Sequence, residues 1–427
     1  MNTLRILIYI LCLAGSVDAS AVYLRLAGAS GSKAISVEPA ASSGLNAIFV
    51  VPDAQDIVPE ISEASITCKW YIFDSRGAAY ARPLENPTTL SADCGYIIED
   101  AGKKYYFWIT DYSATPMTNG TLEVEESDCS SVSLLYTGIA PRLTCHSITG
   151  RTIDIDREIS LSYFTLVEDS ENLSFSQIMQ SKTLPYINQH ISIPAPLCST
   201  RFVLTGDRFL RSWGKEIQIS SDILTPQAVS AIVSVSQIQR DSPNEQKTSD
   251  TSFGGSAPVD IQFKAVISDA AVFTEWQIAS DIEFNNIVLR EQSPEWDYTF
   301  TDTGSHYIRF MCADSSGSCD WYSDTYTVAV GESRLRCPNA FSPGATEGVN
   351  DEWRVSYRSI ISFECHIFNR LGVKMATLTD PSQGWDGKYK GHIIAPGVYY
   401  YVIKAVGADG KKYNLSGDIN IVGSRYR

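Results

Sequence analysis

Apolar and polar residues alternate with a period of two along much of the chain. Residues 159–164 read Ile-Ser-Leu-Ser-Tyr-Phe, and residues 201–204 read Arg-Phe-Val-Leu. Successive side chains of a β-strand point to opposite faces of a sheet, so this alternation predicts strands with one buried face. An apolar pattern of period 3.6 nowhere persists for three turns, so helix should be a minor component. The pattern predicts an all-β protein.

A pattern of tryptophan, glycine and tyrosine occurs twice. Both copies read W-x-I, and D-x-G-x-x-Y begins 30 residues after the tryptophan in one copy and 26 in the other. In an immunoglobulin-like sandwich, a tryptophan fills the space between two sheets and an Asp/Gly corner leads to a tyrosine that pins the turn. We therefore expect two such sandwiches with six core and corner residues. These are Trp70, Gly102 and Tyr105 in the first copy and Trp276, Gly304 and Tyr307 in the second.

Residues 256–330, which contain the second copy, resemble a domain of the polycystic kidney disease (PKD) type. This stretch opens with APVDIQF and closes with YTV. Where that family more typically has WDFGD, this chain reads WQIASD. The resemblance implies a small extracellular β-sandwich.

These patterns divide the chain into five predicted units. Residues 127–227 lack the tryptophan but keep the strand alternation, so a third, divergent sandwich is expected there. A polar stretch from Asp241 to Ser249, leading on to Gly254 and Gly255, is expected to be a loop or linker. The units are a signal peptide (1–19), an immunoglobulin-like sandwich (20–126), the divergent sandwich (127–227), a PKD-like sandwich with the polar linker at its start (228–332) and a C-terminal unit (333–427).

The first 19 residues predict export from the cytoplasm. Arg5 precedes an apolar stretch from Ile6 to Ala14, and Val17-Asp18-Ala19 offers small residues for signal peptidase. A bilayer-spanning helix needs about 20 apolar residues, and no later stretch reaches that length. We therefore expect a mature chain without a transmembrane helix.

Charge separates the C-terminal unit from the rest. The whole chain has 34 basic and 49 acidic residues, a net charge of -15, which disfavours a nucleic-acid partner. Residues 333–427 hold 13 basic and 8 acidic residues, whereas residues 20–332 hold 20 and 40. Such an asymmetry is typical of a separate interaction module.

The strands and turns of the C-terminal unit carry a second resemblance. The stretches NAFSP, GVNDEW, FNRLG, GWDGKYKG, PGVYYYVIKA, DGKKY and GDINI follow one another from residue 339 to residue 421. They resemble the type-B sorting domain of the type IX secretion system, also called the gliding-motility-associated C-terminal domain. The motif residues are Asn339, Phe341, Pro343, Gly348, Asn350, Asp351, Asn369, Arg370, Gly372, Gly384, Trp385, Asp386, Gly387, Lys388, Gly397, Tyr399 and Tyr401.

This chain departs from the family pattern at two places. Residues 344–348 read GATEG where Asn-Gly-Asp-Gly is more frequent, which weakens the case for a cation site in that loop. Leu371 stands where a bulky aromatic residue is common. Asp386-Gly387 is expected to form a hairpin turn, because Asp-Gly is a favoured two-residue turn between strands.

The second resemblance implies a bacterium of the Bacteroidota and a route across the outer membrane. The protein would fold in the periplasm. The strands and turns of the C-terminal unit predict that this unit is a small antiparallel β-sandwich, which follows the preceding sandwiches. The shaft and shuttle components of the secretion machinery would then deliver it to the cell surface or the medium. A folded surface suits recognition because it can be recognised without unfolding the cargo.

Residue chemistry within the sorting unit predicts three roles. Aromatic residues on strands of small sandwiches usually fill the core, and this applies to Phe341, Trp385, Tyr399 and Tyr401. Glycines in turns supply positive φ angles, as expected for Gly372, Gly387 and Gly397. Exposed cations are the candidates for recognition, namely Arg370, Lys388 and Lys390.

Outside the signal peptide the chain has nine cysteines, and export makes disulfides the default. We expect Cys68 to pair with Cys94 and Cys312 with Cys319, because each pair lies inside one predicted unit; the sequence alone leaves the connectivity open. Cys365 alternates with apolar residues and should be a buried free thiol. The wide spacing argues against a zinc site, and no metal or cofactor is expected.

Linear signatures of catalysis are missing from the sequence. The five histidines form no H-E-x-x-H pair, and no G-x-S-x-G elbow occurs. The acidic stretch from Asp154 to Glu158 lacks the EF-hand pattern and predicts a solvated turn rather than a calcium site. A hydrolase site assembled from distant loops is the alternative, because such a site leaves no linear signature.

The sequence is therefore compatible with three functions. The first is a non-enzymatic surface or secreted protein whose sandwich loops meet an unknown extracellular ligand. The second is an accessory or signalling component of the secretion machinery, retained at the periplasm or outer membrane. The third is a carbohydrate-binding or glycan-active protein, for which exposed tryptophans would be the sign.

Overall fold

The computed structural model describes residues 23–28, 34–62, 68–246 and 253–423. The predicted signal peptide and residues 247–249 of the predicted linker lie outside these ranges. Strands make up 56% of the structure and helices 4%, which confirms the all-β prediction. Within the described ranges, no helix is long and apolar enough to cross a membrane.

The first region packs a six-stranded sheet against a two-stranded one. The orders are β2-β3-β8-β7-β5-β6 and β1-β4. The strands are β1 (Tyr23–Gly28), β2 (Ile35–Val37), β3 (Ala47–Val51), β4 (Ile57–Ser62), β5 (Lys69–Phe73), β6 (Arg82–Leu84), β7 (Cys94–Asp100) and β8 (Lys103–Asp111). Three 3₁₀ turns accompany them at Ala41–Ser43, Ala78–Tyr80 and Tyr112–Ala114. Trp70 lies between the sheets with its ring edge toward Tyr96, at 6.4 Å between ring centroids.

The second region is a sandwich of sheets β15-β10-β9 and β14-β13-β16-β17, with a small β11-β12 hairpin. Its elements are β9 (Leu122–Ser127), β10 (Ser131–Tyr136), β11 (Leu143–His146), β12 (Thr152–Ile155), β13 (Ile159–Asp169), β14 (Ser174–Leu184), β15 (His190–Pro194), β16 (Thr200–Thr205), α1 (Arg208–Ser212) and β17 (Gln218–Leu224). The predicted boundary between residues 126 and 127 falls inside β9. Because β9 pairs with β10, the strand lies with the second region.

The third region packs sheet β18-β20-β23 against sheet β19-β26-β24-β21-β22. Its strands are β18 (Ala231–Gln237), β19 (Phe253–Gly255), β20 (Val259–Ile267), β21 (Ala271–Ala279), β22 (Ile287–Glu291), β23 (Glu295–Phe300), β24 (Gly304–Asp314), β25 (Asp320–Tyr322) and β26 (Tyr326–Val330). Gly254 and Gly255 were expected in a linker, but they lie in β19 and pair in parallel with β26. A Cβ on Gly254 would come within 2.0 Å of the carbonyl oxygen of Ala329, so only glycine allows this pairing.

The C-terminal region is built on the five-stranded sheet β28-β35-β34-β30-β31. Its strands are β27 (Arg334–Arg336), β28 (Ala340–Phe341), β29 (Ser356–Arg358), β30 (Ile360–Phe368), β31 (Lys374–Leu378), β32 (Lys388–Tyr389), β33 (His392–Ile393), β34 (Gly397–Gly407) and β35 (Lys412–Ile421). The pairs β27-β29 and β32-β33 form two short additional sheets. All pairs are antiparallel except β28 with β35.

The two copies of the repeated motif have their tryptophans at similar positions, but their D-x-G-x-x-Y stretches lie at different positions in the fold. Trp276, like Trp70, is buried between sheets. Gly102 lies in the tight β7–β8 hairpin at a φ of 80°, within one sheet. Gly304 instead begins β24 after the chain has crossed from the sheet of β23 to the other sheet. The two D-x-G-x-x-Y stretches therefore occupy different connections.

Side chains other than the motif tyrosines make contacts near both corners. In the first region the hydroxyl of Tyr96 donates to the carbonyl of Ser91 at 3.1 Å. In the third region a ring nitrogen of His306 lies 3.0 Å from the carbonyl oxygen of Asp302. Tyr307 is offset by one residue and so points to the opposite face of β24 from His306. Tyr105 packs against the core of the first region.

The disulfide prediction is wrong. Cys319 bonds to Cys129, 190 residues earlier, and so joins the third region to the second. Cys312, its expected partner, is a free thiol inside the core of the third region. Cys68 and Cys94 are also free. The assumption failed because turns of successive sandwiches touch, whereas Cys312 points into its own core.

Cys365 is a buried free thiol, as its place in the alternation of β30 predicted. Burial raises the pKa of this thiol to about 12, with a further rise from Cys337 nearby. Since the thiolate is the reactive species, Cys365 should be inert in the folded protein.

The first and second regions share one hydrophobic core. A single cluster of buried side chains extends from Leu45 in the first region to Ile219 in the second. Arg157 and Asp207, both fully buried, form an ion pair of 2.7 Å inside this junction. The hydroxyl of Tyr112, from the first region, donates to Asp207 at 2.8 Å. The two regions are therefore packed together as one body.

Candidate recognition surface of the C-terminal region

The C-terminal region has two ends, set by the direction of its strands. β30 runs from Ile360 to Phe368, and β34 runs back from Gly397 to Gly407. We call the end formed by Ser359 and the 407–411 turn the junction end. We call the end formed by residues 369–373, the 388–393 hairpin and the start of β34 the distal end.

The junction end is held by Ser359, which is fully buried. Its hydroxyl donates to the carbonyl of Gly331 at 2.6 Å and accepts from the amide of Ala257 at 3.0 Å. Its own amide donates to the hydroxyl of Ser256 at 2.7 Å. One side chain thus links the C-terminal region to two segments of the third region.

The predicted linker adds a second contact at this junction. The amide of Gln246 donates to the carbonyl of Tyr357 at 2.8 Å, and the amide of Tyr357 donates to the carbonyl of Asn244 at 3.2 Å. Residues 244–246 therefore extend alongside β29. This part of the linker is paired backbone and not a free tether.

A third contact ties the start of the C-terminal region to its own 407–411 turn. The hydroxyl of Ser333 donates to Asp409 at 2.7 Å and lies 2.8 Å from the hydroxyl of Tyr413. Burial alone would raise the pKa of Asp409, but hydrogen bonds from Ser333 and Lys411 lower it below its ordinary value.

At the distal end, the turn at residues 369–373 is shaped by Asn369. Its side-chain oxygen accepts from the amides of Leu371 and Val373, each at 2.9 Å. Gly372 has a φ of 78°, which favours glycine. The turn leaves Arg370 exposed and Leu371 80% exposed.

The hairpin at residues 388–393 presents the other two predicted recognition residues, Lys388 and Lys390, at the surface. Its turn lies at Lys390 and Gly391, both with positive φ, so the turn expected at Asp386-Gly387 is displaced by four residues. Asp386 instead accepts from the backbone amide of Lys388 at 3.0 Å and from its ammonium at 2.8 Å. This contact raises the pKa of Lys388, so the ammonium stays charged.

Aromatic residues of the motif form the core beneath the distal end. Phe341, Trp385 and Tyr399 are buried, with ring centroids 5.6 Å apart for Phe341 and Trp385 and 5.4 Å apart for Trp385 and Tyr399. Half-buried Tyr401 lies 5.2 Å from the fully buried ring of Trp353. Trp353 is the last residue of the stretch GVNDEW, but it was not among the motif residues predicted from the sequence.

The remaining motif residues hold the loops around this core in place. Asp351 accepts from the amides of Gly344 at 3.0 Å and Gly348 at 2.7 Å, so its carboxylate closes the loop. The carbonyl of Asn350 accepts from Ser342, and that of Asn339 accepts from Asn420, both at 2.9 Å.

Close packing explains two further motif glycines. A Cβ on Gly384 would come within 2.1 Å of Glu352, and one on Gly387 would lie 3.2 Å from both Phe341 and Pro343, at a φ of 71°. Gly397 has a φ of 151° at the start of β34. These glycines fix the shape of the distal end.

The distal end carries four exposed cations and several acidic residues. Arg370, Lys374, Lys388 and Lys390 are exposed there. Asp386 pairs with Lys388, and Glu352 and Asp418 are acidic residues of the motif stretches beside this end. Six of the seven motif stretches lie at or beside this end, and DGKKY lies at the junction end.

The acidic stretch at residues 154–158 is engaged within the protein. Asp154 pairs with Arg142 at 3.1 Å, Asp156 accepts from the amide of Glu158, and Glu158 pairs with Arg208. Among the described residues, no group of three or more His, Cys, Asp or Glu side chains is placed to hold a metal ion.

Two family models match parts of the chain. Residues 335–421 match the CHU_C type IX secretion signal domain, and residues 121–221 match a fibronectin type III domain. The secretion signal implies export to the cell surface or secretion. The PKD resemblance of residues 256–330 stays a prediction. A search of curated proteins finds no match.

Solved structures of other tandem β-sandwiches are similar at low identity. A tetra-tandem repeat from the extending region of a large adhesion protein is 12% identical, covering 87% of this chain and 96% of that one, with a TM-score of 0.20. A Ca²⁺-stabilised adhesin of an Antarctic bacterium that binds ice is 14% identical, covering 88% and 95%, with a TM-score of 0.19. Dimeric latent PorU from Porphyromonas gingivalis is 11% identical, covering 75% of this chain but 35% of PorU, with a TM-score of 0.15.

Proposed function

We propose that the type IX secretion machinery recognises this protein at the distal end of its C-terminal region. The observation that supports this is the difference between the two ends. The junction end is covered by the third region through Ser359, whereas the distal end exposes Arg370, Lys388 and Lys390. A transporter that handles folded cargo needs such an accessible, rigid surface.

The sandwiches ahead of it are the exported part, for which we propose an adhesive or surface-structural role. Fibronectin type III domains and sorting signals are non-catalytic kinds of domain. Loops at the end of a sandwich are where such proteins meet a ligand.

Tryptophan burial speaks against the carbohydrate-binding alternative. All eight tryptophans of the sequence are among the described residues. Five are buried and the other three are half-buried. The exposed aromatic platform that such a site requires is therefore not supplied by tryptophan.

Fractionation of the source bacterium tests the export proposal. The full-length protein should be found at the cell surface or in the medium, and a chain ending at residue 332 should accumulate in the periplasm. A full-length protein that stays in the periplasm would contradict the proposal and favour the accessory component of the machinery. Detection of the Cys129–Cys319 disulfide in the truncated chain is the control for its folding.

A further inference from the structure

Strand β14 forms an edge of the sheet β14-β13-β16-β17, so among the described residues one of its sides has no partner strand. It pairs with β13 over 11 residues without a register shift. Residues 176–183 are all exposed. Such an edge displays a row of backbone N–H and C=O groups that can hydrogen-bond to another strand.

Two of the features that usually protect an edge, a proline and a bulge, are missing from β14. The edge strand β6 contains Pro83, and the edge strand β22 contains Arg290 and Glu291. β14 has no proline and no bulge, and its single charge is Lys182. The ammonium of Lys182 donates to the carbonyl of Ser192 on β15 at 2.8 Å, so it is turned back toward its own sandwich.

Apolar side chains lie exposed on both faces of the β13–β14 ribbon. Met179 is 67% exposed and stands opposite Phe164, which is 45% exposed. Ile178, on the other face, is 38% exposed and lies beside Val167, at 44%. A strand added at the β14 edge would cover part of both faces, which favours pairing through the hydrophobic effect.

We infer that β14 pairs with β14 of a second copy, antiparallel, about a twofold axis at Met179. In that register Ile178 faces Gln180 and Lys182 faces Ser176, so no like charges meet. The net charge of -15 repels copies elsewhere, but residues 174–184 hold one charge only. Two four-stranded sheets would then form one continuous sheet of eight. This pairing is independent of the export proposal.

Sedimentation velocity of the exported full-length protein tests this inference. The wild type should sediment as a dimer that dissociates on dilution. Met179→Lys places two ammonium groups opposite each other at the axis and should weaken the dimer more than tenfold. Val288→Lys is the matched control, because Val288 is a 57% exposed residue of the edge strand β22, and it should leave the dimer unchanged.

Either of two results would overturn the inference: a wild type that stays monomeric at tens of micromolar, or equal dimerisation of the wild type and Met179→Lys. Thermal unfolding of both variants controls for folding, since both side chains are exposed. A dimer that persists in Met179→Lys would place the contact on another surface.

The register has its own test in a single cysteine. Under mild oxidation Met179→Cys should give a disulfide-linked dimer, because the two thiols meet at the axis and lose two protons and two electrons to the added oxidant. Val288→Cys and the wild type, with its native free cysteines, should remain unlinked. A Met179→Cys dimer that does not cross-link would contradict the proposed pairing.

Discussion

Two junctions of the molecule are built from opposite chemistry. The first and second regions share a continuous apolar core that encloses the buried ion pair of Arg157 and Asp207. The third and C-terminal regions meet mainly through hydrogen bonds centred on Ser359, and Ala408 adds one apolar contact with the core of the third region. Burial of a large apolar side chain contributes about 1.5–3 kcal/mol, whereas a hydrogen bond contributes about 0.5–1.5 kcal/mol net.

This difference indicates that the two junctions have different structural roles. A shared core makes the first two regions one cooperative body. A polar junction fixes the orientation of the C-terminal region while leaving its own core separate, since its buried cluster contains residues of the C-terminal region alone. The C-terminal region is thus an independently packed unit, held at a defined angle with its distal end exposed.

The largest expected effect is at the first junction. Asp207→Ala leaves Arg157 charged, buried and without its partner, which should lower the free energy of unfolding by about 3–5 kcal/mol. Asp154→Ala is the control, because its ion pair with Arg142 is exposed and should contribute below about 1 kcal/mol. Chemical denaturation measures both. Equal losses in the two variants would show that the buried pair does not hold this junction.

The disulfide between the second and third regions should have the next largest effect. Replacing both Cys129 and Cys319 by serine should cost about 2–4 kcal/mol, because the bridge closes a long loop in the unfolded chain. Peptide mapping without reduction should recover the Cys129–Cys319 link, also in the control Cys312→Ala. A linked peptide of Cys312 and Cys319 would contradict the structure.

Ser359→Ala should have an intermediate effect, confined to the polar junction. It removes the acceptor of the Ala257 amide and the donor to Gly331, at a cost of about 1–3 kcal/mol for unsatisfied buried groups. Hydrogen exchange at Ala257 should accelerate while the core of the C-terminal region stays protected. Ser362→Ala, at an exposed position of β30, is the control; equal exchange at Ala257 in both would refute this role.

The smallest effect is a dependence on acid at Asp409. Because hydrogen bonds lower its pKa in the folded state, its contribution is present above the ordinary value of 3.8 and is lost as the pH falls through the folded pKa. Between about pH 5 and about pH 2, the free energy of unfolding of the wild type should therefore fall slightly more than that of Asp409→Asn. Parallel curves would contradict the hydrogen-bonding role of this carboxylate.

Sequence reasoning succeeded where the determining contacts are local. The 369–373 turn is specified within five residues by Asn369 and Gly372, and the alternation of β30 correctly predicted the buried thiol of Cys365. Spaced motifs also predicted the C-terminal sorting domain, which the comparison confirms. These features can be predicted from the sequence because turns and the alternation of strand residues depend on neighbours in the chain.

Contacts between distant residues left no such trace. Cys129 and Cys319 are 190 residues apart, and Ser359 and Ala257 are 102 apart. The corner contact of His306 was not predicted, because the D-x-G-x-x-Y pattern has its tyrosine one position later, at Tyr307. The position of His306 after Asp302 and Gly304 on the inward face of β24 was the signal that could have identified it.

The most direct test compares two charge-removing variants of the full-length protein in the source bacterium. One carries Arg370→Gln, Lys388→Gln and Lys390→Gln at the distal end. The other carries Lys404→Gln, Lys411→Gln and Lys412→Gln, which remove the same charge from exposed positions on the sheet and at the junction end. The account predicts that the first variant accumulates folded in the periplasm while the second reaches the surface or the medium. Export of both at wild-type levels would contradict recognition at the distal end.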